Sequence, residues 1–155
     1  MNPKGFPADR LAAALLAEKP VLRDKIQAGV PCSPEQVPAY LTEVLRFMAL
    51  IAWSKQRLTP PRKLDLVWHE FILCTRLYHG FCHQHFGRFI HHDPGGTDAE
   101  NARQYRKTLQ LFSMFFGAAD PELWGCGALH AQVACGACEG DAVVPESSAA
   151  DPNDL

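Results

Sequence analysis

Residues 39–56, AYLTEVLRFMALIAWSKQ, constrain the fold of this chain more than any other stretch. Tyr40, Val44, Phe47 and Ile51 recur at helical spacing, with Leu41, Leu45 and Met48 beside them. A helix that is apolar over so much of its circumference cannot lie on a surface and must be enclosed by others. That requirement predicts a central helix. The flanking sequence offers partners for it: Ala8–Ala17 and Val21–Ala28 read as short helices separated by Pro20, with Gly29 following the second.

Downstream, LTPPRK breaks the chain, with Thr59 as a cap and Pro60 or Pro61 in the first turn of the next helix. That helix is expected to run to Phe86 and end at Gly87. TDAE is a capping box, Thr97 with Glu100 three residues on, opening a helix that buries Tyr105, Leu109, Phe112 and Phe116 and stops at Gly117. Asp120-Pro121 starts a last turn with Trp124. Strand signals are weak and no internal repeat is present. The fold class is all-α, a compact bundle of four or five helices with a Cys-containing, largely irregular C-terminal tail.

Composition agrees with one globular unit: 155 residues, 47% apolar and 21% charged. Residues 1–125 form the helical domain, 126–140 a Cys/His/Gly segment, and 141–155 an acidic tail (DAVVPESSAADPNDL) expected to be disordered. From Glu139 onward there are five acids and no base, so the rest of the chain carries 12 acids against 15 bases. A surplus of about three, with no Lys/Arg run, is too small for a nucleic-acid footprint. No apolar run approaches about 18 residues, so no membrane partner is expected. The N-terminal stretch, closed by Glu18, Lys19 and Pro20, makes a poor signal peptide, and a cytoplasmic location follows. There thiols stay reduced and act more often as ligands than in disulfides.

Six of the seven histidines and two of the six cysteines fall between Asp65 and His92. On one continuous helix Asp65, His69, Arg76, His79 and His83 lie within about 40° of a line, interrupted by Ile72. Leu64, Val67, Trp68, Phe71, Tyr78 and Phe81 occupy the opposite arc. The stripe can be the wet side of an amphipathic helix, and the macrodipole alone favours histidine near its C-terminus. Asp65 and His69, at i and i+4, can also pair so that the carboxylate orients a ring toward a metal or a proton. His91 and His92 are the loop candidates for joining them. An unbroken helix would put Phe86 about 25 Å from His69, while five extended residues span at most about 17 Å. Convergence therefore requires an earlier helix end or a kink, with Gly80 the candidate. Otherwise Cys82, His83 and His85 are the loop's neighbours.

A second constellation is Cys126-x3-His130-x4-Cys135-x2-Cys138, four soft ligands in thirteen residues. A CxxC pair lets two thiolates reach one tetrahedral ion, but the whole matches no standard zinc spacing, and a tail with nothing bound explains it equally.

From about Tyr40 to Trp124 the chain resembles the glycine-rich domain-containing protein-like family, in EVLRFMAL, LDLVWHEFILCTRLYHGFC, HFGRFIHHDP and RKTLQLFSMFFGAADPELW. The resemblance carries over to Asp65, Trp68, His69, Tyr78, Phe81, Cys82, Phe86, Gly87, His91 and His92. It implies no established reaction, but it places His69 and His91-His92 in one signature. The tail here is short where the family carries a long glycine-rich segment.

Three functions compete. One is a metal-binding accessory or interaction module, with zinc ahead of iron and an unidentified protein partner. Another is a metal-dependent enzyme, with Asp65 or Glu70 as base; HEFIL lacks the second histidine of H-E-x-x-H, so the zinc-protease mechanism is unsupported. The third is a metal-free interaction domain whose aromatic stripe is core.

Overall fold

A computed structural model describes residues 2–125. Within them the chain is all-helical, with no β-strand. The helices are α1 (Ala8–Glu18), α2 (Pro20–Gly29), α3 (Val37–Ser54), α4 (Arg62–Leu73), α5 (Thr75–Phe86), α6 (Asp98–Phe116) and α7 (Pro121–Trp124), preceded by a 3-10 turn over Pro3–Gly5. Among the described residues seven helices replace the four or five expected: the stretch read as one helix to Phe86 is two, and the short α1, α2 and α7 each form. The tail, with the segments 126–140 and 141–155, lies outside the described residues.

α3 is central, as its apolar circumference requires. It is packed by α1, α2, α4 and α6, and Leu41, Val44, Leu45, Phe47, Met48 and Leu50 are each 0% exposed. Each such side chain contributes about 1.5–3 kcal/mol relative to exposure. Glu43 is the polar exception on this helix: its carboxylate accepts from Arg46 Nη1 at 2.7 Å and from the Trp124 indole N–H at 2.8 Å. Those bonds offset its desolvation and tie α7 to α3. No helix among the described residues is long and apolar enough to cross a membrane.

Helix ends follow local chemistry in most places. Thr97 and Glu100 form the capping box, and Gly87 closes α5 at φ +68°, where a Cβ would be strained. Thr59 does not cap α4. Pro61 stands at that position, and Thr59 instead donates its backbone N–H to Thr108 and its hydroxyl to Gln104. Those bonds fasten the 55–61 linker to α6. The break between α4 and α5 falls at Cys74 (φ −79°, ψ 59°), whose N–H bonds to Phe71 one residue short of α-helical register. Gly80 lies inside α5 and kinks nothing.

Candidate metal centre

Asp65 and His69 project from adjacent turns of α4. The break at Cys74 redirects the chain, so α5 is only twelve residues long, and after Gly87 the 88–97 segment returns to α4. Ile90 anchors this return, 1% exposed. Its carbonyl accepts a 2.6 Å hydrogen bond from the Tyr78 hydroxyl, which in turn accepts the Trp68 indole N–H at 3.0 Å. One phenol therefore links α4, α5 and the returning segment. Burial pushes the Tyr78 phenol far up, so it remains a neutral donor.

Two residues beyond Ile90, His92 lies between Trp68 and His69, its ring centroid 4.6 Å from the indole and 4.4 Å from the other imidazole. His92 Nε2 is 2.7 Å from Asp65 Oδ1, and His69 Nδ1 is 3.5 Å from Oδ2. One carboxylate thus faces two imidazoles, one oxygen to each. Side-chain exposure is 9% for Asp65, 13% for His92 and 41% for His69, so the cluster is buried on two sides and reached from the third.

The ligand atoms of Asp65, His69 and His92 lie within 4.8 Å of one another. Ligand atoms around one tetrahedral zinc at about 2.0–2.1 Å are about 3.4 Å apart, so closure onto an ion requires side-chain rotations that bring the most separated pair together by up to about 1.4 Å. Two imidazoles and a carboxylate are a donor set that zinc and non-haem iron both accept, and three protein ligands leave coordination positions open. Asp65, Trp68 and His92 also form one wall of a cleft of about 150 Å³, faced by Gln56, Thr59 and Gln104.

The other predicted ligands are dispersed. His91, next in chain to His92, is exposed and packs its ring on Phe89 at 4.8 Å; the adjacent histidines point two ways. Cys82 is fully buried beside Tyr78 and the Ile90 backbone, and burial raises its thiol pKa, so it belongs to the scaffold under the site. Glu70 turns from the cluster toward α2, where a Cβ on Gly29 would meet its carboxylate at 2.6 Å. That leaves Asp65 as the carboxylate at the cluster. Cys126, His130, Cys135 and Cys138 lie outside the described residues. Sequence reasoning did not anticipate the cleft wall of Gln56 and Gln104, which is assembled from segments some fifty residues apart and has no local signal.

No curated protein and no solved structure matches the chain. A family model described as UCP032817-like matches residues 17–117. This corrects the resemblance to the glycine-rich domain-containing family: the match takes in the end of α1 and all of α2 to α6 and ends before the Gly/Cys tail, so the tail is no part of what defines the family. By a match over some two thirds of its length, the chain belongs to the UCP032817-like family.

Proposed function

We propose that this protein binds one divalent metal ion through Asp65, His69 and His92 and acts as a cytoplasmic accessory or interaction module. The observation that carries this reading is the convergence, within 4.8 Å, of three ligand atoms from segments 27 residues apart in sequence. Zinc is the first choice, because a carboxylate and two imidazoles suit it in a site of any polarity; iron is the second. The bound ion would act as a Lewis acid or hold an exogenous ligand at its open positions. Trp68 and Tyr78 keep His92 in place, and Asp65 offsets the ion's charge.

The cleft beside Asp65 and His92 favours a second reading, a metal-dependent enzyme whose small substrate enters there. About 150 Å³ is the size of a cavity that accepts benzene, which sets the scale of a substrate enclosed in it. The short Asp65–His92 bond favours a third, a metal-free clasp that closes the 88–97 segment on α4.

Metal content per chain, measured by plasma mass spectrometry on untagged protein, tests the reading. His69→Ala, His92→Ala and a Cys135→Ser/Cys138→Ser double variant are measured alongside. Near-stoichiometric metal lost in both histidine variants is expected. Metal lost only in the cysteine variant would move the site to the tail, and no metal in any sample would leave the clasp.

A further inference from the structure

His79 and His83 stand one turn apart on α5, with ring centroids 4.4 Å apart and planes inclined at 43°. Both side chains are exposed, and among the described residues neither ring nitrogen has a hydrogen-bond or ion-pair partner. The helix between them is continuous from Thr75 to Phe86, and the adjoining position is open too, since a Cβ on Gly80 would meet nothing within 4 Å. On the inner side His79 meets Phe89, 6.1 Å between centroids, which limits how far its ring swings away from His83. Solvation of a polar helix face explains why histidines are allowed here. It does not predict that two should face each other rather than splay.

We propose that His79 and His83 form a second, solvent-facing site for a late first-row divalent ion, separate from the Asp65 cluster. Imidazoles at i and i+4 on a helix are spaced to chelate one ion, which is how the two histidines of H-E-x-x-H bind zinc. Placing them on a helix holds the ligands in position before the ion arrives. Two neutral ligands and no carboxylate make the site weaker than the Asp65 cluster, and Arg76, one turn before His79, opposes a cation further. Affinity should rise from zinc or nickel to copper(II), the order that imidazole donors follow. Water completes the coordination, so the ion exchanges readily.

The test is a zinc titration of the full chain with ¹⁵N-labelled histidine, following the ring nitrogens by NMR. Both side chains are exposed, so His79→Ala and His83→Ala keep the fold and assign the signals. Past the first equivalent, His79 and His83 are expected to shift together, and each substitution is expected to abolish the response of the other ring. The same joint shift is expected in an Asp65→Ala/His92→Ala variant, whatever becomes of the first site. Rings that stay unmoved, or a His83 response that persists without His79, would overturn the proposal.

Discussion

The Trp68 indole N–H donates to the Tyr78 hydroxyl at 3.0 Å, joining α4 to α5 across the break at Cys74. Because that hydroxyl also donates to the Ile90 carbonyl, the position of His92 depends on a side chain that never touches it. Tyr78→Phe removes the hydroxyl and leaves a buried indole N–H and a carbonyl without it. The expected cost is about 1–3 kcal/mol, read as a lower urea midpoint at unchanged slope. If Tyr78 positions the cluster, metal affinity also falls by about tenfold, as for other groups that orient ligands. A destabilised variant with unchanged metal affinity would make Tyr78 a fold residue only.

The same pair explains what could be read in advance and what could not. The apolar arc of Leu64, Val67, Trp68, Phe71, Tyr78 and Phe81 is buried as its spacing implies, since apolar periodicity is a local signal. The break at Cys74 has no such signal. Leu73, Cys74 and Thr75 include neither glycine nor proline, and the visible breaker, Gly80, is helical. The turn is stabilised instead by Tyr78 reaching Trp68 and Ile90, ten and twelve residues away. Asp65 shows the consequence: a wheel drawn through one long helix puts it on a wet stripe, yet it is 6% exposed because the returning 88–97 segment covers it. The requirement for an earlier helix end could be derived from lengths alone; its place could not.

Glu43 and Trp124 offer an independent test of the bundle. The carboxylate bridges Arg46 and the Trp124 indole, and Trp124 is fully buried against Phe112, 4.3 Å between ring centroids. Its carbonyl also accepts from the Tyr105 hydroxyl. Trp124→Ala should therefore cost about 3–5 kcal/mol through lost packing, and Glu43→Ala about 1–3 kcal/mol through an unpaired indole N–H. Since the two share a bond, their double variant should fall short of the sum by at least about 0.5 kcal/mol. Full additivity would mean that the Glu43–Trp124 bond contributes nothing.

Stability should decline on both sides of neutral pH. Burial raises Cys82 and Tyr78 above their ordinary ranges. Both hold protons in the folded chain that the unfolded chain releases. Their contribution is therefore complete below the unfolded values and begins to be lost above about pH 8.5 for the thiol and about pH 10 for the phenol. His85, packed on Phe81, is lowered by burial, so its contribution is present above about pH 6.5 and is lost as pH falls. Urea midpoints from pH 5 to 10.5 measure this. Cys82→Ala should flatten the segment between about pH 8.5 and 10, and His85→Gln the acid limb; unchanged slopes would assign the losses to other groups.

Asp65→Asn separates a metal ligand from a structural clasp. Asparagine keeps the size of the side chain and an oxygen that can accept from His92, so if Asp65 serves chiefly as a metal ligand, about 1 kcal/mol or less is lost in the apoprotein. A neutral amide is a much poorer ligand for a divalent ion, and it removes the charge that offsets the ion beside two imidazoles. The metal reading therefore expects zinc affinity to drop by more than the roughly tenfold typical of outer-shell changes, with little change in apoprotein stability. Under the clasp reading the charged carboxylate itself holds His92, through a hydrogen bond stronger than the amide can make. Apoprotein stability would then fall by about 1.5–3 kcal/mol, with no metal-dependent difference between the proteins. Thermal unfolding of both proteins, with and without added zinc, separates the two.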